Sequence, residues 1–148
     1  MASYRQLYYH IVFGTKFRKP TIADVHCQLL YKYIWGILEN KKCKLYRING
    51  SNEHIHLLVD IHPTIAVSTL VKDIKVSTSL WIKQQLEFQD FEGWAEGFAI
   101  FTVSHSDRDK VIEYIKGQKE HHQKLSYLDE YKTLLKEYGI EFDEKELD

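Results

Sequence analysis

The stretch Glu53-His54-Ile55-His56-Leu57-Leu58-Val59 holds two histidines around one aliphatic residue and runs into an apolar segment. Its branched side chains read as a β-strand. Side chains alternate across a strand, so His54 and His56 share one face while Ile55 and Leu57 share the other. The two histidine Cα atoms then lie ~6.6 Å apart, within reach of a single metal ion. The aliphatic residue between them buries the opposite face and stiffens the mount.

Working outward, Lys44 to Ile48 reads as a short strand, and Asn49-Gly50 is a turn signal before the histidine strand. Lys44–Ile48 and His54–Ile61 therefore pair as a hairpin. Leu7 to Phe13 reads as a first strand, followed by a basic loop from Gly14 to Pro20. Residues Ile22 to Glu39 carry helical spacing, with Thr21 as the expected cap. A second helix is expected from about Ala66 to Gln85, with Val67, Leu70, Val71, Ile74 and Trp81 as its apolar stripe. Phe98 to Ser104 is a fourth strand. Ser106 with Asp109 suggests a capping box for a helix running to His122. A last helix covers Leu128 to Tyr138 and ends at Gly139. The order β-α-β-β-α-β makes the expected class α+β: a ferredoxin-like antiparallel sheet with helices on one face, plus C-terminal helices. The whole chain, 1–148, reads as a single domain with an acidic, flexible tail over 140–148.

The bulk numbers narrow the functional classes. A chain of 148 residues that is 44% hydrophobic and 28% charged suits one globular domain. The formal net charge is -1, so positive charge for a nucleic-acid partner must be local, or come from a metal or a second subunit. Cys27 and Cys43 have no zinc-ligand spacing and form no disulfide framework. No apolar run approaches a membrane span, and the N-terminus lacks a signal-peptide core, so a cytoplasmic, membrane-free protein is expected.

Two histidines do not complete a metal site, and half-exposed histidines that bind nothing fit the triplet equally well. Tyr114 and Gln118, four residues apart, share a helix face. The Gln118 amide oxygen suits a third ligand, and Tyr114 beside it suits a nucleophile. The ordinary alternative makes Tyr114 a core aromatic and Gln118 a surface residue. A phenol is a weak nucleophile at neutral pH and needs a base or a polarised electrophile. A divalent ion on His54, His56 and Gln118 would supply the latter for a phosphodiester.

Several motifs in order resemble one family. They are His10-Ile11-Val12-Phe13-Gly14-Thr15-Lys16, the histidine triplet, Leu70-Val71-Lys72-Asp73-Ile74-Lys75, the Glu96-to-Ser104 segment, and Val111-Ile112-Glu113-Tyr114-Ile115-Lys116-Gly117-Gln118 with the following Lys119-Glu120-His121-His122. Together they resemble the single-tyrosine HUH transposases of small bacterial insertion sequences, including relatives associated with repetitive extragenic palindromes. The resemblance implies metal-dependent cleavage and rejoining of single-stranded DNA at hairpin-bearing element ends, through a 5′-phosphotyrosine. It implies Mg2+ or Mn2+ on His54, His56 and Gln118, and Tyr114 as nucleophile. It also implies a homodimer, in which the tyrosine helix of one subunit can complete the histidine site of the other.

Lys16, Arg18 and Lys19 in the first loop, and Lys72, Lys75 and Lys83 on one helix face, are candidate DNA contacts. Solvated lysines are the ordinary alternative. His10, His105, His121 and His122 are left outside the catalytic set. Two further readings compete: a phosphodiesterase in which water attacks, and a non-catalytic ferredoxin-like nucleic-acid-binding module.

Overall fold

The computed structural model describes residues 2–147. Strands Tyr8–Gly14 (β1), Lys44–Gly50 (β2), His54–Asp60 (β3) and Ala99–Thr102 (β4) form one antiparallel sheet, ordered β2-β3-β1-β4. Helices Cys27–Asn40 (α1) and Val67–Ile82 (α2) provide the two crossovers. This is the expected ferredoxin-like arrangement. Arg108–Lys116 (α3), Gln118–Lys124 (α4) and Tyr127–Glu137 (α5) follow β4.

Alternation along the strands sorts the side chains onto two faces. Ile11 and Phe13 of β1 and Ile55, Leu57 and Val59 of β3 join Leu30, Ile34 and Leu38 of α1 and Leu70, Val71 and Ile74 of α2 in the main core. Full burial of each such side chain is worth roughly 1.5–3 kcal/mol, so this face sets the frame. On the opposite face, Tyr8, Val12 and Leu58 meet Ile115 of α3 and Tyr127, Leu134 and Leu135 of α5. Helices thus cover both faces, and β3 is buried along nearly its whole length. No helix among the described residues is long and apolar enough to cross a membrane.

Local details depart from the sequence reading for physical reasons. α1 begins at Cys27, after a 3₁₀ turn at Asp24–His26, rather than near Ile22. Ile22 is buried, but in a segment whose backbone N–H donates to Asn52 O at 2.8 Å; Thr21 caps nothing, and its hydroxyl has no partner. Asn49 and Gly50 end β2 instead of forming the turn, which is closed by Ser51 N–H donating to His54 O at 3.0 Å. Gly50 is needed for close approach: a Cβ there would sit 2.0 Å from the His54 carbonyl oxygen. The helix expected to reach His122 is broken at Gly117 into α3 and α4. The Ser106 hydroxyl meets that of Ser104 at 3.0 Å and caps no helix. α5 is capped by Ser126, which accepts from Asp129 N–H, and Gly139 follows it with a φ of 69°. Beyond α5, Phe142 and Leu147 lie against its apolar cluster, and Arg18 Nη1 donates to Leu147 O at 3.3 Å.

Candidate metal and nucleophile site

β3 holds His54 and His56 toward α3, α4 and α5, with both imidazoles buried. Their rings lie 5.1 Å apart, centroid to centroid. α3 brings Tyr114 to the same place, its ring 5.7 Å from that of His56. Gln118, fully buried at the start of α4, sets its Oε1 2.8 Å from His54 Nε2. The Tyr114–Gln118 relationship survives the Gly117 break because a backbone ladder spans it: Gly117 N–H donates to Glu113 O, and His121 N–H to Gly117 O. Asn49 pins this junction to β2, donating from Nδ2 to Lys116 O at 3.0 Å.

The structure adds a residue that sequence reasoning missed. Glu130 of α5 is 5% exposed and enters the middle of the constellation. Its Oε1 lies 3.2 Å from His54 Nε2 and 3.3 Å from His56 Nε2. Its Oε2 accepts from Gln118 Nε2 at 2.7 Å and from the Tyr114 hydroxyl. A signal for it existed. Tyr127, Glu130, Tyr131 and Leu134 fall at helical spacing, so a carboxylate occupies the apolar stripe of α5.

Each histidine is oriented from behind. His54 Nδ1 lies 2.8 Å from Ser51 Oγ, and His56 Nδ1 lies 2.8 Å from His10 Nε2. Such contacts fix ring orientation and tautomer, turning both Nε2 atoms toward Glu130 and Gln118. His10, placed outside the catalytic set above, is therefore a buried support of His56. Tyr127 stacks on His54 with ring centroids 4.3 Å apart, and it approaches Gly14 so closely that a Cβ there would lie 2.6 Å from its ring.

Burial lowers the His56 imidazole to about 4, and burial with the neighbouring His56 lowers His10 to about 3. Both stay neutral near pH 7, the form that can bind a metal. Burial would raise the Glu130 carboxyl, but hydrogen bonds from His54, His56 and Tyr114 outweigh it and hold it well below the usual carboxylate range. Burial, reinforced by Glu130, pushes the Tyr114 phenol above its usual range. In this arrangement the proton stays on Tyr114.

The donor set fits a divalent cation. Single ligand atoms of His54, His56 and Glu130 all lie within 4.8 Å of one another. Two imidazole nitrogens with carboxylate and amide oxygens make a mixed nitrogen–oxygen donor set of the kind divalent cations take.

The candidate DNA contacts separate in space. Lys16, Arg18 and Lys19 belong to the loop after β1, which is bonded to the backbone beside His54 through Thr15 N–H and Glu53 O at 2.8 Å. Lys72 on α2 and Lys83 just after it are exposed, across the sheet from the histidines. Lys75 is engaged inside the protein. Its Nζ donates to the carbonyls of Ala95, Glu96 and Gly97 at 2.8, 3.1 and 2.8 Å, leaving no ammonium proton for a phosphate.

The ferredoxin-like sheet thus presents paired histidines to a tyrosine, a glutamine and a glutamate in one site, and an antiparallel α+β fold of this kind serves many functions. Comparison with known proteins gives the family: residues 3–118 match the model of the IS200-like transposases, and the chain belongs to that family. It is 27% identical over 117 residues to the transposase for insertion sequence element IS200 of Salmonella typhimurium, covering 76% of each chain. Two solved structures share the fold. One is a transposase from Deinococcus radiodurans, with TM-score 0.58 and 21% identity over 80% of this chain and 95% of that one. The other is a tyrosine transposase associated with repetitive extragenic palindromes and bound to such a hairpin, with TM-score 0.62 and 15% identity over 82% of this chain and 74% of that one. The family match stops at Gln118, so Glu130 lies beyond it.

Proposed function

We propose that this transposase cleaves and rejoins single-stranded DNA at hairpin-bearing element ends, with Tyr114 as nucleophile and His54, His56 and Gln118 holding Mg2+ or Mn2+. The observation that carries this reading is the convergence of four side chains from two distant stretches of sequence in one buried site. Glu130 joins them as a further oxygen ligand. A divalent cation held by His54, His56, Gln118 and Glu130 would offset phosphate charge and favour loss of the phenol proton. The Tyr114 oxygen attacks phosphorus as the bond to the 3′ oxygen breaks, and the departing 3′ oxygen takes up a proton. This leaves a 5′-phosphotyrosine. A 3′ hydroxyl attacking that linkage reverses the chemistry and releases Tyr114, so joining needs no nucleotide triphosphate.

Glu130 keeps Tyr114 protonated in the arrangement seen here. Attack therefore requires the phenol proton to leave, and the Glu130 carboxylate that accepts its hydrogen bond is the group placed to take it. Tyr114 and the histidines meet within one chain here, and in a homodimer the tyrosine helix of one subunit can instead complete the histidine site of the other. The homodimer is part of the proposal, and light scattering tests it. Mixing Tyr114→Phe with His54→Ala chains separates the two assemblies: cis sites stay inactive, and shared sites recover activity.

The decisive experiment incubates the protein with labelled single-stranded DNA from the ends of its own genomic locus, with Mn2+, followed by a denaturing gel. The expected result is a covalent adduct that needs metal and is absent from Tyr114→Phe. Cleavage by Tyr114→Phe without an adduct would mean that water attacks. Binding without cleavage would mean a non-catalytic module.

A further inference from the structure

The loop between β1 and α1 contains a feature that the chemistry above does not use. Phe17 is 68% exposed. A lone exposed apolar side chain is ordinary, and Val25 and Leu86 are more exposed still. Phe17 differs from them in its backbone. It has a φ of 57°, and Arg18 beside it has a φ of 55°. A bulky residue in the left-handed region is a true outlier, and two such non-glycine residues in succession persist only where the surroundings over-determine them.

The surroundings here do so. Thr15 is buried, and its N–H donates to Glu53 O. Its hydroxyl donates to Lys19 O at 2.7 Å, and Arg18 N–H donates to Thr15 O at 3.0 Å, closing the loop on itself. Lys16 N–H is tied to Gly93 O at 2.9 Å, Lys19 Nζ to Glu92 at 2.6 Å, and Arg18 Nη1 to Leu147 O. A loop fastened at every residue but one holds that one, an aromatic ring, out in water.

The ring is also bracketed by charge. Lys16 Nζ lies 5.6 Å and Lys19 Nζ 5.9 Å from its centroid. An aromatic ring beside Lys16 matches a nucleotide, with a base to stack and a phosphate to pair, while Lys19 is held by Glu92. The loop adjoins the reaction site, because Gly14 is the strand partner of His54. A base inside a duplex has both faces covered by its neighbours, so only an unpaired base can stack on such a ring.

We infer that Phe17, held outward by the Thr15–Lys19 loop and flanked by Lys16 and Lys19, is a stacking platform for an unpaired base of single-stranded DNA entering beside His54. This rests on the functional reading above, and it assigns the protein a means of distinguishing single strands from duplex.

The test measures binding of fluorescent oligothymidylate and of a long fully paired DNA duplex to full-length protein, wild type and variant, by anisotropy without metal. Phe17→Asn is the informative variant, because asparagine tolerates positive φ better than phenylalanine. The expected result is a thermal midpoint unchanged or raised, oligothymidylate affinity reduced about 5- to 150-fold, and duplex affinity unchanged. Phe17→Trp should retain single-strand affinity, and a single 2-aminopurine in the oligonucleotide should lose its stacking quench only with Phe17→Asn. Unchanged oligothymidylate binding, or equal losses on both DNAs, overturns the proposal. So does a lowered midpoint or altered oligomeric state, either of which makes Phe17 a structural or subunit contact. Failure of the catalytic reading is distinguishable, because adduct formation at saturating DNA depends on Tyr114 and His54, whereas this binding does not.

Discussion

The two faces of the sheet are built by the same strands and do opposite work. Toward α1 and α2, one continuous apolar cluster takes every second residue of β1 and β3. Toward α3, α4 and α5, the apolar contacts split into two smaller clusters, and between them sit His10, His54, His56, Gln118 and Glu130, all buried. Apolar burial is non-directional and roughly proportional to area, so the first face can supply stability without fixing any atom closely. The second face fixes atoms through donors and acceptors and gains less from burial. A residue shift of one along β3 would exchange the faces and lose both functions at once.

The sharpest way to break this contrast is paired substitution on β3. His54→Ala should abolish metal-dependent adduct formation while the protein stays folded. Ile55→Ala, one residue away, should cost about 2–5 kcal/mol of stability and leave the surviving folded fraction active. Urea unfolding and the adduct assay, run on both variants, read the two effects separately. If His54→Ala unfolds the chain, the histidine face carries stability after all.

Glu130 tests whether the second face is a metal site. Mn2+ should raise the thermal midpoint of the wild type. Glu130→Ala should weaken Mn2+ about 10- to 100-fold by calorimetry, the range seen when groups supporting a metal site are lost. Equal Mn2+ affinity in the variant would exclude Glu130 as a ligand.

The faces should also differ in acid. His10 and His56 titrate near 3 and 4 when folded, below their ordinary 6.5. From about pH 6.5 downward, the unfolded chain binds protons that the native chain refuses, so stability falls as pH falls toward 4. At pH 4.5 the loss should be roughly 2–3 kcal/mol for each histidine, seen as a lower urea midpoint than at pH 7. A flat profile across this window would mean that the histidine face opens to water.

The smallest effects concern charge. Lys72→Ala and Lys83→Ala lie across the sheet from the site and should change single-strand affinity by less than about twofold, whereas Lys16→Ala should lower it and flatten its salt dependence. Anisotropy across a salt series compares them. Equal losses would show DNA wrapping onto the α2 side.

Much of this molecule was legible in its sequence because local patterns repeat. Alternation gave β3 its two faces, and spacing put Tyr114 and Gln118 together. Motifs in order gave the family that the family model then matched. The errors arose where long-range contacts overrule local pattern. Ile22 has helical spacing with α1, yet it is fixed by Asn52. Asn49-Gly50 is a turn dipeptide, yet Asn49 is needed in the strand to hold Lys116 O. Lys75 looks free on a helix until the carbonyls of residues 95–97 arrive. Glu130 was hidden for another reason: a carboxylate on an apolar stripe declares itself only when its histidine partners, 74 residues distant from His56, are known.

That separation has a consequence for synthesis. The strands and the helix bearing Tyr114 leave the ribosome before the helix bearing Glu130. A growing chain can lay down its sheet and seat Tyr114 while the histidine face is still open to solvent. That face closes only once α5 has emerged, so a chain truncated after Gln118 would carry the matched family segment with Tyr114 lacking its Glu130 partner.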